Sequence, residues 1–366
     1  MTEYPEFVRV SNNPDRELLG DSYFTPPHVD TVMYEAQTGK VPVKGAGYRG
    51  KFGGEGWDAM WTDMSEIVRP TRDGIHGREF ISTAVDVGER PSYLMFDGKG
   101  APTGATPRVF TLPLPVLFDL PPSSPVGPLP ARILSESARA LGTLAVIPLS
   151  ACIELGLRGR HIVPLVSAAD RTALSEIGGQ SSMIEIASWD QELFTETRAL
   201  FPGAVLSLRL ESAPGFEHRM LEYFRGGVRT FHLVADYHGW GADGEFVIDL
   251  IRRAHQSLVR EGYRDSVTLL GSGGIIAAEE VPKAIICGLD AVALDTPLLI
   301  ALQMRMMGEC AARGTSRFSV PEMSVEWGVQ RLMNLMASWR DQLLEVMGAM
   351  GLREVQRLRG EMGRAM

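Results

Sequence analysis

Cysteine is scarce in this chain, with three residues among 366. They stand far apart in sequence, at Cys152, Cys287 and Cys310, so no disulfide framework is predicted. No run of about 18 apolar residues is present, which excludes a membrane-spanning helix. The opening residues have no apolar segment of the kind that a signal peptide needs. We therefore expect a cytoplasmic protein that does not associate with a membrane.

Positive charge is also in short supply. The net charge is −9, and no block of basic residues offsets it, so we expect no nucleic-acid partner. Hydrophobic residues make up 45% of the chain and charged residues 22%, which is an ordinary globular composition. The length suits one barrel of about 250 residues with an added segment, or two ordinary domains, and we favour the first.

The histidines do not form a metal-binding pattern. His232 alternates into a predicted strand and is expected to be a satisfied core residue, whereas His238 stands close to Asp236 at a strand end and is the better catalytic candidate. No metal-ligand spacing connects the other five, which are His28, His76, His161, His218 and His255.

Residues 1–108 differ in composition from the rest. They are rich in glycine, proline and charge and have few aliphatic residues, which predicts a loop-rich N-terminal extension. Residues 64–79 mix arginine, aspartate and histidine, which favours a solvated or interface ion-pair network over a ligand site. Four large side chains would suit a buried subunit-interface patch, namely Tyr48, Trp57, Met60 and Trp61.

Short apolar segments then alternate with helical ones over residues 109–320. This alternation is typical of βα units in a parallel sheet. The predicted helices include 130–141, 191–200 and 217–225, and residues 321–366 are predicted to form C-terminal helices that pack on the barrel. The eight predicted strands cover 112–119, 144–149, 162–166, 183–186, 205–210, 230–235, 267–270 and 291–294.

The stretch from Ser266 to Leu302 has the clearest organisation. A buried strand leads into Gly271, Ser272, Gly273 and Gly274, then a helix, a second strand, and another turn at Thr296. Such paired turns form the phosphate end of a (β/α)8 barrel, where backbone N–H groups converge on an anion. A tight turn without a ligand is the alternative. The third glycine of the dinucleotide fingerprint is missing.

This stretch resembles the FMN-binding barrel of glutamate synthases, particularly the stand-alone archaeal type and the related N-methylglutamate synthase subunit. The tail Met347-Gly348-Ala349-Met350-Gly351-Leu352-Arg353 also resembles the end of that family. The matching positions are Ser272-Gly273-Gly274-Ile275, Lys283-Ala284, Gly288, Asp290-Ala291-Val292-Ala293, Thr296 and Leu299-Ile300-Ala301-Leu302.

The resemblance implies an α/β fold of the (β/α)8 TIM-barrel type and an FMN-dependent oxidoreductase of amino acid metabolism, which would deliver hydride to an imine of a 2-oxo acid. Arg209 would face the flavin ring, and Asp236 and His238 would complete the catalytic group. The predicted FMN-phosphate site comprises Gly271, Ser272, Gly273, Gly274, Asp295 and Thr296. A homo- or hetero-oligomer with other enzyme subunits is also implied. Type 2 isopentenyl-diphosphate isomerases and IMP-dehydrogenase-like barrels share the SGGI turn, but the tail favours glutamate synthase.

Several positions depart from the family. Asp295 stands where the family has glycine, and a carboxylate beside a phosphate is costly unless it is paired or turned away. Cys310 has no neighbouring cysteines, so no iron–sulfur cluster is expected, and no cysteine opens the chain as a glutaminase nucleophile. Two hypotheses follow. One is an FMN-dependent oxidoreductase acting within a larger complex, and the other is a catalytically degenerate barrel that serves as a structural or regulatory subunit without flavin.

Overall fold

The computed structural model describes residues 8–10, 20–42, 55–63, 80–90, 95–103, 108–120 and 127–365. Among the described residues of the N-terminal part, the α-helix α1 (Pro26–Thr38) ends at Gly39 in the left-handed conformation, and a short 3-10 helix covers Gly56–Ala59. Four short strands follow, β1 (Val85–Glu89), β2 (Met95–Phe96), β3 (Pro102–Thr103) and β4 (Arg108–Leu112). They pair as two antiparallel hairpins, β1 with β4 and β2 with β3.

Eight parallel strands close into a barrel, which confirms the predicted (β/α)8 fold. Every strand pairs with the next along the chain, and the last strand pairs with the first. Their residues are almost all buried, because a barrel covers the inner face and the helices cover the outer face. The strands are β5 (Val116–Asp119), β6 (Ala145–Pro148), β7 (Ile162–Val166), β8 (Met183–Ile186), β9 (Val205–Glu211), β10 (Thr230–Val234), β11 (Thr268–Ser272) and β12 (Ala291–Leu294).

The connecting helices surround this barrel. Their ends follow local chemistry: the helix after β5 begins with proline and ends at Gly142, and the carboxylate of Asp190 caps the helix after β8 by accepting two backbone N–H groups. The helices are α2 (Pro128–Leu141), α3 (Leu149–Glu154), α4 (Gln191–Leu200), α5 (Phe216–Arg225), α6 (Val247–Arg260), α7 (Glu280–Cys287) and α8 (Thr296–Ala301).

The C-terminal part extends the outer layer. After α8 come a short hairpin of β13 (Arg305–Met306) and β14 (Phe318–Ser319) and the long helix α9 (Val325–Ala349). Helix α9 packs on α1 and α2, and Trp339 donates a hydrogen bond to the buried carboxylate of Glu35 at 2.9 Å. None of the helices in the described ranges is long and apolar enough to cross a membrane.

Both ends of the barrel are covered by its own chain. At the amino end, Gly88 of β1 exchanges hydrogen bonds with Thr268 at the start of β11, at 3.1 and 2.9 Å, so the β1–β4 hairpin closes the barrel floor. At the carboxyl end, residues 20–25, residues 55–60 and the segment that joins β13 to β14 donate side-chain hydrogen bonds to the turns after β10 and β11. Chemistry at the usual end of such a barrel would therefore take place beneath these segments.

The predicted interface patch is wrong for two of its four residues. Trp57 is 1% exposed and Met60 4% exposed, because both are buried within their own chain. Trp57 packs against Phe246 with ring centroids 5.9 Å apart, and the sulfur of Met60 lies 3.6 Å from that of Cys287. Trp61 is 46% exposed. Tyr48 and the polar segment 64–79 lie outside the described residues.

Candidate functional site

A network of buried charged side chains fills the carboxyl end of the barrel. Arg209 of β9 forms ion pairs with Asp119 at the end of β5 and with Glu185 of β8. His232 of β10 places Nδ1 3.1 Å from the carboxylate oxygens of Glu185 and Nε2 3.1 Å from Oγ of Ser272 in β11. Alternate strand residues face the barrel axis, so these side chains from four strands and the end of a fifth converge.

Arg313 closes the network into a ring from above. It lies between β13 and β14, and its guanidinium donates to Oγ of Ser272 at 3.1 Å and lies 3.4 Å from the carboxylate of Asp119. It also donates to the carboxylate of Asp295 and to the carbonyl oxygen of Ala235, both at 2.6 Å. One arginine from outside the barrel thus joins β5, β11 and the residue that follows β12.

Glu185 and Arg209 hold each other in their charged forms. Burial alone would raise the pKa of Glu185, but His232 and Arg209 beside it hold that pKa below its ordinary value. Burial would likewise lower the pKa of Arg209, but Asp119 and Glu185 raise it above its ordinary value. The side chains of Asp119 and Glu185 are 0% exposed and that of Arg209 is 7% exposed. Removing one member would leave an uncompensated buried charge.

The predicted phosphate turn after β11 has the expected backbone shape. Gly273 has a φ of 122° and Gly274 a φ of 69°, values that side-chain-bearing residues rarely adopt. The turn is covered by the N-terminal part, because Tyr23 donates its hydroxyl hydrogen to the carbonyl of Gly274 at 2.8 Å and the indole of Trp57 donates to that of Gly273 at 3.4 Å.

The carboxylate of Asp295 caps the start of α8, the helix that follows β12. Asp295 accepts hydrogen bonds from the N–H of Thr296 at 2.5 Å and from its hydroxyl at 3.1 Å. Its other oxygen accepts from Arg313, and the residue is 3% exposed. In the turn before α7, Glu280 accepts the N–H groups of Ile276 and Ala277 at 2.5 and 3.0 Å. At Gly271 an added Cβ would lie 2.6 Å from Leu289, so this glycine serves packing.

The residues around these two turns therefore do not fit an FMN phosphate in the predicted place. The N–H and hydroxyl of Thr296, which the phosphate would need, are already bonded to Asp295. Arg313, a cation suited to an anionic ligand, is paired with the same carboxylate. The carboxylate of Asp295 thus accepts the hydrogen bonds that Thr296 and Arg313 would donate to a bound phosphate.

The predicted catalytic residues have different side-chain hydrogen-bond partners. Arg209 lies in the buried ring, whereas Asp236 accepts the N–H of Trp240 at 2.7 Å in the loop after β10. Burial raises the pKa of Asp236 above its ordinary value. His238 is paired with Asp21 of the N-terminal part, with Nε2 2.8 Å from the carboxylate.

Sequence reasoning missed three ring members and underestimated a fourth. Asp119 and Glu185 are charged residues within apolar strand segments. Since a buried charge requires a partner, their positions could have indicated a buried ion-pair network. His232 is buried and hydrogen-bonded, as predicted for a core histidine, but its partners make it part of the ring. Arg313 gave no signal, because it follows the last barrel helix in a segment without periodicity.

The fold is a (β/α)8 barrel with a glycine turn after β11 and a helix that begins after β12. A mandelate oxidase variant, in a crystal structure with 4-Br-2-hydroxy-methylphenylacetate, aligns with a TM-score of 0.50 and 16% identity over 83% of this chain and 87% of that chain. That likeness concerns the fold alone.

Sequence comparison shows similarity to one group of proteins, the glutamate synthases. The model of the conserved region in glutamate synthase matches residues 243–353. The archaeal glutamate synthase (NADPH) of Methanocaldococcus jannaschii is 28% identical over 190 residues, which cover 50% of this chain and 36% of that protein. The archaeal-type glutamate synthase (NADPH) of Dehalococcoides mccartyi is 24% identical over 419 residues, 96% of this chain and 82% of that protein. The predicted resemblance is confirmed, and the chain is a divergent relative of the glutamate synthases.

Proposed function

We propose that this chain is a glutamate-synthase-like barrel that does not bind FMN and serves as a structural or regulatory subunit of a larger enzyme assembly. The observation that carries the proposal is Asp295, whose carboxylate takes the N–H and the hydroxyl of Thr296 and pairs with Arg313. A phosphate dianion at the start of α8 would have to displace this carboxylate. Displacement would also separate a buried ion pair, which is costly.

The ring inside the barrel supports the same proposal. In the flavin-binding role, Arg209 would be available to stabilise negative charge on a reduced ring. Here two fully buried carboxylates, those of Asp119 and Glu185, already neutralise its guanidinium. Two aromatic residues, Tyr23 and Trp57, also cover the glycine turn. These contacts stabilise a closed barrel without requiring a ligand.

The second candidate is a flavoprotein that binds FMN and reduces an imine of a 2-oxo acid. One observation favours it besides the family resemblance. The hydroxyl of Tyr237 is buried without a hydrogen-bond partner among the described residues, and the Tyr237 ring packs under the guanidinium of Arg313 at 4.7 Å. A buried hydroxyl of this kind is able to accept a further partner, as a polar ligand would offer.

FMN titration followed by flavin fluorescence distinguishes the two candidates. We expect no saturable binding by the wild-type protein. Asp295→Gly restores the glycine of the family and frees the Thr296 N–H, so it should bind FMN more tightly than the wild type. Asp295→Asn is the matched control, because it removes the charge but keeps a side chain able to cap the helix. Stoichiometric, saturable FMN binding by the wild-type protein would establish the flavoprotein instead.

A further inference from the structure

Three metal-ligating side chains meet at the covered mouth of the barrel, away from the ring. Asp21 comes from the N-terminal part, His238 from the loop after β10 and Glu309 from the segment between β13 and β14. One ligand atom from each lies within 4.8 Å of the other two. These three residues are far apart in the sequence, and only the fold brings them together. The sequence alone therefore gives no sign of the cluster.

The two inner side chains are already oriented. His238 places Nε2 2.8 Å from Oδ2 of Asp21, and its ring stacks on that of Tyr23 with centroids 5.0 Å apart at 15°. The other oxygen of Asp21 accepts the N–H groups of Tyr23 and Phe24 at 3.0 and 2.9 Å, which fixes the carboxylate. The rings of His238 and Tyr23 and the carboxylate of Asp21 are therefore held in place before any ion binds.

The cluster is charged and open on one side. Oδ2 of Asp21 also accepts the backbone N–H of Cys310 at 3.0 Å, so this carboxylate oxygen faces two polar groups at the mouth of the barrel. Glu309 is exposed, and its carboxylate accepts the hydroxyl hydrogen of Ser22 at 2.7 Å. An ion could therefore enter from the side of Glu309 and keep a water ligand there.

The geometry points to a site for a divalent first-row metal ion bound by Nε2 of His238, Oδ2 of Asp21 and a carboxylate oxygen of Glu309. One imidazole and two carboxylates form a set that Zn²⁺ accepts in proteins. Metal–ligand bonds of about 2.0–2.2 Å place such ligand atoms about 3.3 Å apart. Nε2 of His238 and Oδ2 of Asp21, now 2.8 Å apart, would therefore have to separate slightly, and the carboxylate of Glu309, now within 4.8 Å of both, would have to move closer. The ion would fasten residues 20–25 over the barrel mouth, whether or not the barrel binds flavin.

Zn²⁺ titration by calorimetry tests the site, with untagged protein that has been treated with a chelator and desalted. We expect one Zn²⁺ per chain. Since outer partners alone change metal affinity by about 10–100-fold, Glu309→Gln and His238→Gln should each weaken binding by at least about tenfold. Matched controls are Glu322→Gln and His218→Gln, which change exposed residues outside the cluster and should leave the affinity unchanged.

A second readout follows the segment that the ion would hold. Zn²⁺ should slow backbone amide hydrogen exchange in residues 20–25 of the wild-type protein and of Glu322→Gln, but not of Glu309→Gln. The exposed position of Glu309 makes a folded variant the expected outcome. The site would be refuted by an absence of binding up to about 1 mM Zn²⁺, which corresponds to a negligible affinity, or by equal binding in Glu309→Gln and Glu322→Gln.

Discussion

Replacing Arg209 by methionine tests the buried ring most severely. The guanidinium of Arg209 pairs with Asp119 and Glu185, whose side chains are 0% exposed. The substitution keeps an unbranched apolar side chain but removes the guanidinium and its charge, so both carboxylates lose a counter-ion in a buried site. Removal of one partner from a buried ion pair costs about 3–5 kcal/mol, and we expect Arg209→Met to lower the free energy of unfolding by at least this amount.

Urea unfolding at pH 7, followed by circular dichroism, measures the change, and two further variants define its cause. Arg171→Met removes an arginine that pairs with Glu192 and Glu196 at the surface, where its own side chain is 44% exposed, so it should change stability little. Adding Glu185→Gln to Arg209→Met removes the charge of one of the two carboxylates that have lost the guanidinium, and it should recover part of the loss. If Arg209→Met proved as mild as Arg171→Met, the reasoning about the ring would be refuted.

Three further predictions concern pH and packing. Burial raises the pKa of Glu280 from 4.5 to about 8, so its contribution to stability is complete below about pH 4.5 and is lost as the pH rises through 8. The urea concentration at the unfolding midpoint should therefore fall between pH 6 and 9 in the wild-type protein and change less in Glu280→Gln. Parallel pH profiles of the two proteins would contradict this. The pKa of Asp21 is lowered from 3.8 to about 2, so its contribution to folding stability is present above about pH 4 and is lost as the pH falls towards 2. The melting temperature should therefore fall less between pH 4 and pH 2 in Asp21→Asn than in the wild-type protein. Gly288→Ala would place Cβ 2.4 Å from that of His255 and should lower the melting temperature clearly more than Gly308→Ala, which also has positive φ but meets nothing within 4 Å; equal effects would exclude the clash.

The barrel itself was predictable from the sequence, because strand and helix periodicities are local. The strands 162–166, 183–186 and 291–294 and the helix 191–200 have the predicted bounds. The predicted first strand over 112–119 is instead two elements, β4 ending at Leu112 and β5 beginning at Val116, since Pro113 and Pro115 interrupt it. Helix α1 was missed within a segment predicted to be loop-rich.

The site was less predictable, because its contacts join residues far apart in the chain. The sequence shows that Asp295 replaces the glycine of the family, and a carboxylate at that position was expected to need a partner or to turn away. That partner is Arg313, which only the hairpin after the barrel brings to α8. The covering of the glycine turn by Tyr23, 251 residues away, likewise depends on the whole fold.

An absorbance spectrum of the freshly purified protein shows whether the barrel holds FMN. Bound flavin absorbs between about 300 and 550 nm, where a protein without a cofactor is transparent. Because Asp295 and Arg313 fill the start of α8 with the chain's own charges, we expect a colourless protein that stays free of FMN after incubation with FMN and gel filtration. A flavin band that remains with the protein after gel filtration would contradict it.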